Sequence, residues 1–90
     1  MEAPNKRMNA ALFYNRSACQ RQLGQLKLAL RDAQQAYATD PSMVKAYWRA
    51  ADVAIILDEQ EEAREAIELG LKEAPRNQPL LQLKLAVTRF

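Results

Sequence analysis

The 90-residue chain contains no histidine. That absence removes the commonest general base and the commonest metal ligand. It holds one cysteine, Cys19, so no disulfide can close within it, which fits a reducing compartment. Two glycines cannot supply a phosphate-cradling loop, and with four prolines they leave little loop material. No apolar run approaches the ~20 residues that span a bilayer, so no membrane segment is expected. The start, MEAPNKRMNAAL, has no apolar core followed by a cleavage site and does not read as a secretory leader. A net charge of +2 is too small to argue for nucleic acid. No serine or cysteine has a recognisable base beside it. Asp32 and Asp52 stand apart as helix-surface charges, so neither catalysis nor a cofactor is expected. A cytoplasmic location is expected, with the nucleus as its alternative.

What is present is helical. The chain is 49% hydrophobic and 27% charged, ordinary for a globular protein. Residues 8–22 carry apolar and small side chains at helical spacing and stop before Gly24. A second helix begins near residue 25 and is closed by Asp40-Pro41. Ser42 is expected to cap a third, running to about Leu57. Asp58 with Glu61 reads as a capping box for a fourth, to about Glu73, with Glu59, Glu61 and Glu62 favoured by the helix dipole. A fifth follows Pro75, with Pro79 suited to its first position. Cys19 is expected to be a small buried hydrophobe.

The chain also repeats itself. Pro41 and Pro75 are 34 residues apart. The same offset links Phe13 to Tyr47, Ser17 to Ala51, Ala29 to Ala63, Ala33 to Ile67 and Ala36 to Gly70. A period of 34 is that of the tetratricopeptide repeat (TPR), a helix–turn–helix unit that stacks on its own copies. The expected fold is all-α: repeats at 10–43 and 44–77 in a short right-handed superhelical solenoid, a lead-in at 1–9 and a capping helix at 78–90. Two repeats are few for a stable array, so a piece of a larger domain is expected. The uncovered first helix is then a surface for self-association.

Charge divides by helix. In such stacks the first helix of each pair lines a concave groove. Lys6, Arg7, Arg16 and Arg21 lie on the first such helix and its lead-in, with no acid between 6 and 23. Lys45 and Arg49 lie on the next, four residues apart and so one helical turn apart on one face. The fourth helix carries seven acids against Arg64 and Lys72. A basic groove with an acidic back suits an anionic ligand. The plainer alternative is that these charges only solvate exposed faces.

NAALFYNRSA (9–18) followed by DPSMVKAYWRAA (40–51) resembles the carboxylate-clamp TPR co-chaperones. That group includes the Hsp70–Hsp90 organising protein and the tetratricopeptide repeat protein 4 family. The resemblance implies binding of an acidic C-terminal tail of heat-shock protein 90 or 70 through its free carboxylates. It places Asn15, Lys45 and Arg49 on clamp positions, with Ala18 and Gln22 lining the groove beside Asn15. The group's remaining clamp lysine and asparagine belong to an upstream repeat absent from this sequence. Trp48 and Tyr14, again 34 apart, flank the groove or pack between repeats. One of Ile55 and Ile56 is expected to meet the ligand, Ile55 being chosen, and the other to be core. Asn15 has an alternative role as a packing hydrogen bonder. Competing functions are a TPR scaffold for an internal peptide and a helical-repeat RNA binder. The RNA binder is disfavoured because no extended basic stripe runs through the repeats.

Overall fold

The computed structural model describes residues 5–87. The first four residues of the expected lead-in and the last three of the expected cap lie outside them. Five helices are described: α1 (Lys6–Gln22), α2 (Leu26–Thr39), α3 (Val44–Ile56), α4 (Gln60–Glu73) and α5 (Gln78–Val87). Each packs on the next in sequence, and α3 also touches α1 and α5. Two layers result, α1, α3 and α5 in one and α2 and α4 in the other. The body is an elongated slab of 49 × 30 × 18 Å. The all-α helical-repeat expectation is met.

Small residues set the helix spacing. Ala29, Ala33, Ala36, Ala50, Ala51, Ala54, Ala63 and Ala66 are buried around Val53 and Ile67. Side chains without rotamer freedom lose no side-chain entropy on burial and let backbones approach. Gly70 marks the tightest approach: a Cβ there would lie 2.8 Å from both Leu80 Cδ1 and Tyr47 Cβ. Ser17 is fully buried in α1, and its hydroxyl donates to the Ala29 carbonyl at 2.6 Å, tying α1 to α2. The Tyr37 and Tyr47 rings stack at 4.4 Å between α2 and α3, and Tyr47 donates to the Pro41 carbonyl. Burial pushes the Tyr37 phenol up to about 12, and burial raises Tyr47 as well.

The helix ends correct several sequence expectations. Asp58 does not cap α4. It has φ +60° and ends α3, with the Asp58 and Glu59 N–H groups donating to the Ile55 and Ala54 carbonyls. Gly24, at φ +78°, ends α1 with the same pair of bonds, from Gly24 and Gln25 to Arg21 and Gln20. This is the Schellman arrangement, used twice at a spacing of 34 residues. Ser42 does not cap α3 either. Its N–H and hydroxyl both donate to Asp40 Oδ1, so the aspartate organises the turn. Pro79 falls second in α5 rather than first, because Asn77 Oδ1 accepts from the Leu80 N–H and fixes the start one residue earlier. Asn5 caps α1 in the same way through Met8, lengthening it by two residues over the sequence reading.

Cys19 is exposed, contrary to expectation. It lies on the side of α1 that α2 does not cover, where Met8, Leu12 and Leu23 are also exposed. Leu12 is four residues from Met8 and seven from Cys19, so the exposed side chains form a stripe. Asn15, exposed three residues after Leu12 and four before Cys19, lies in the same row, so this face mixes apolar side chains with an amide.

Candidate functional site

The α1–α3 face carries the charged residues singled out from the sequence. Two ion pairs tie α1 to its neighbours, and one of them lies on this face. Arg16 grips Asp32 with two hydrogen bonds, Nε to Oδ2 at 2.6 Å and Nη2 to Oδ1 at 2.8 Å. This bidentate contact joins α1 to α2. The Arg16 guanidinium holds the Asp32 carboxyl below its ordinary range, against an opposing push from partial burial. Arg21 Nε donates to Asp52 Oδ2 at 2.7 Å, joining α1 to α3. The sequence expectation of two isolated surface charges is corrected: each aspartate bolts two helices together. Two of the four cations on α1 and its lead-in are therefore neutralised.

Lys45 and Arg49 are different. Asp52 is the carboxylate on α3 nearest them, three residues beyond Arg49, and Arg21 takes it. Among the described residues neither Lys45 nor Arg49 has a carboxylate partner. Both turn to aromatic rings instead. Lys45 Nζ sits 4.6 Å from the Tyr14 ring centroid, and Arg49 Cζ lies 5.5 Å from it. Arg49 Cζ is also 5.7 Å from the Trp48 ring. Arg49 Nη2 donates to the Tyr14 hydroxyl at 3.3 Å. Its Nε is buried with no hydrogen-bond partner among the described residues. The face of an aromatic ring attracts cations through its quadrupole, worth about 0.5–1 kcal/mol at exposed sites. That partly offsets the repulsion of two like charges one turn apart, and it removes no formal charge.

The structure thus gathers Lys45 and Arg49 on Tyr14, with Trp48 beside Arg49. Tyr14 was legible only as a residue at the groove edge. Its equivalence to Trp48 was the available signal, and the two cations it serves lie more than thirty residues away. Asn15, next to Tyr14, is exposed and makes no hydrogen bond to either cation. Ala18 and Gln22 follow it at i+3 and i+7 on the same face of α1, half-buried and exposed respectively. Ile55 and Ile56 are both exposed, so neither is core. On an α-helix, eleven residues return to within about 20° of the starting direction. Ile56 therefore shares the stripe of Lys45 and Arg49, while Ile55 follows Trp48. An open cleft of about 370 Å³ lies elsewhere, between α4 and α5, lined by Ile67, Leu71 and Val87. No cluster of metal-ligating side chains occurs among the described residues. None of the described helices is long and apolar enough to cross a membrane.

What the arrangement can do chemically follows from these contacts. Lys45 offers an exposed point charge and Arg49 a half-buried planar fork, both free of carboxylates among the described residues. An anion with two acceptor groups satisfies both.

No family model matches the chain. The Hsp70-Hsp90 organizing protein of wheat (Triticum aestivum) is 38% identical over 73 residues, which cover 81% of this chain and 13% of that protein. The structure of the Hsp90 co-chaperone Cns1 from Saccharomyces cerevisiae superposes with a TM-score of 0.84 at 28% identity, covering 98% of this chain and 28% of that one. The first TPR of Spaghetti (RPAP3), bound to the HSP90 peptide SRMEEVD, superposes at 0.82 and 27% identity, covering 90% of this chain and 64% of that one. The chain thus spans a small part of the wheat relative's length. By sequence relationship and by fold, it is a tetratricopeptide-like helical-repeat domain of the kind carried by Hsp70–Hsp90 co-chaperones.

Proposed function

We propose that this chain is a peptide-binding module, not a catalyst, that takes the acidic C-terminal tail of heat-shock protein 90 or 70 by its free carboxylates. The observation that carries this reading is the unpaired state of Lys45 and Arg49, given that Arg21 removes the one carboxylate on their helix. The relatives support it, since TPR domains of similar fold bind HSP90 and HSP70 peptides ending in EEVD. In this role Arg49 binds one carboxylate with its fork and Lys45 supplies the second charge. Asn15 donates an amide N–H without adding repulsion. Ala18 and Gln22 line the groove, and Trp48 with Ile55 and Ile56 meets apolar side chains upstream of the acidic tail. The cap geometry shared by Gly24 and Asp58 supports repeats at 10–43 and 44–77, with 78–90 as the cap of a larger domain. A cytoplasmic site of action goes with these partners.

The test is titration of SRMEEVD as free acid and as C-terminal amide. Lys45→Ala and Arg49→Ala should each weaken the free-acid complex by roughly 1.5–3 kcal/mol, the range for hydrogen bonds to charged groups. Arg49→Lys should fall short of full affinity, because an ammonium lacks the planar fork. Amidation should cost affinity, and rising salt should weaken binding. Indifference to amidation, with both alanine variants unchanged, means a scaffold for an internal peptide instead.

A further inference from the structure

The residue that gathers the two cations is Tyr14. Its ring lies 4.6 Å from Lys45 Nζ and 5.5 Å from Arg49 Cζ, so one aromatic face holds both charges. Its hydroxyl accepts from Arg49 Nη2 at 3.3 Å. A phenol has one O–H donor besides its lone pairs. With the oxygen accepting from Arg49, that hydrogen is left to donate, and no described residue accepts it. Tyr14 stands on α1, whereas Lys45 and Arg49 stand on α3. An anion seated between the two cations therefore meets a donor that comes from the opposite helix.

We propose that Tyr14 is a ligand-contacting member of the site: its ring sets the positions of Lys45 and Arg49, and its hydroxyl donates to the peptide carboxylate they bind. The inference rests on the carboxylate-binding reading above. It differs from a packing role in one respect. Packing needs the ring alone, while contact needs the hydroxyl, and only for a ligand that brings a carboxylate to that point. Phenol-to-carboxylate bonds are charge-assisted, about twice as strong as neutral ones. The hydroxyl adds no formal charge, so it adds affinity without adding to the repulsion between the cations.

Tyr14→Phe and Tyr14→Leu, made in the full-length chain, separate the two parts. Both are titrated with SRMEEVD as free acid and as C-terminal amide, beside Lys45→Ala and Arg49→Ala. Tyr14→Phe keeps the ring and should bind the free acid about tenfold more weakly, the loss of one hydrogen bond to a charged group. The amide should lose much less, so the acid-to-amide ratio narrows. The salt dependence should stay that of the unaltered chain, because the count of cations is unchanged. Tyr14→Leu should lose more than Tyr14→Phe, since both cations lose their platform. Free-acid affinity within twofold of wild type in Tyr14→Phe, or equal losses for acid and amide, overturns the hydroxyl contact. Lys45→Ala and Arg49→Ala tell the two failures apart. If they weaken binding while Tyr14→Phe does not, only the Tyr14 role falls. If they too are silent, the reading beneath it falls.

Discussion

Gly70→Ala sets two effects of known size against each other. Alanine is the better helix former by about 0.8–1 kcal/mol, and Gly70 is inside α4, so the local term favours the variant. The packing term opposes it. The added methyl would meet Leu80 Cδ1 and Tyr47 Cβ, each at 2.8 Å. Leu80 Cδ1 ends a flexible side chain and can turn away, although Leu80 is fully buried and has little room. Tyr47 Cβ cannot turn away, because it is fixed to the α3 backbone. Tyr47 is also held by its stack on Tyr37 and its bond to the Pro41 carbonyl. The relief available is movement of α4 away from α3. Overpacking of a tight core costs about 1–3 kcal/mol, so after the propensity gain the net expectation is a loss of up to about 2 kcal/mol. For a domain of this size each kcal/mol lowers the melting temperature by about 4–8 °C, so a fall of up to about 15 °C is expected. Thermal unfolding followed by circular dichroism, with urea unfolding for the free energy, reads both. A melting temperature at or above wild type refutes the reasoning, since it would mean the helices part without cost and propensity decides.

Asp58→Gly should stabilise the chain by a few tenths to about 1 kcal/mol, because glycine adopts positive φ without the side-chain clash; an unchanged urea midpoint counts against it. Arg16 depresses the Asp32 carboxyl, so its contribution is present above the unfolded value of about 3.9 and is lost as pH falls through the lower folded value. The stability gap between wild type and Asp32→Asn should therefore close on acidification below about pH 4, and a gap constant from pH 7 to pH 3 contradicts the pairing. The stripe of Met8, Leu12 and Leu23 should drive concentration-dependent association, reduced by Leu12→Glu; sedimentation showing a monomer at all concentrations removes that surface from consideration.

Much of the fold was legible because its determinants repeat. Ser17, Ala29, Ala36, Ala51, Ala63 and Gly70 hold positions where helices nearly touch, and sequence shows residue size directly. Helix ends were read less well. Asp58 carries the sequence signature of an N-cap, and only its backbone shows that it ends the preceding helix. Its 34-residue offset from Gly24 was the clue that local capping rules cannot use. Within the site, the spacing of Lys45 and Arg49 was visible because both lie on one helix. The partners of Asp32 and Asp52 were not, since Arg16 and Arg21 are distant in sequence and reach them only after the helices pack. Tyr14 was hidden for the same reason. Cys19 was misread because burial depends on what covers a helix face, and composition reports only what that face is made of.

The Arg21–Asp52 pair also acts as a sequestered competitor. Asp52 falls three residues after Arg49 and seven after Lys45, on the helix face they share. Released, it would be an intramolecular anion at very high effective concentration, tethered closer to Arg49 than any dissolved peptide. The 2.7 Å bond from Arg21 keeps that anion occupied on the neighbouring helix. A substitution at Arg21 therefore leaves Lys45 and Arg49 chemically intact while handing them a rival for every incoming carboxylate. Its signature would be reduced apparent affinity with a site that looks untouched, and restoration on adding Asp52→Asn.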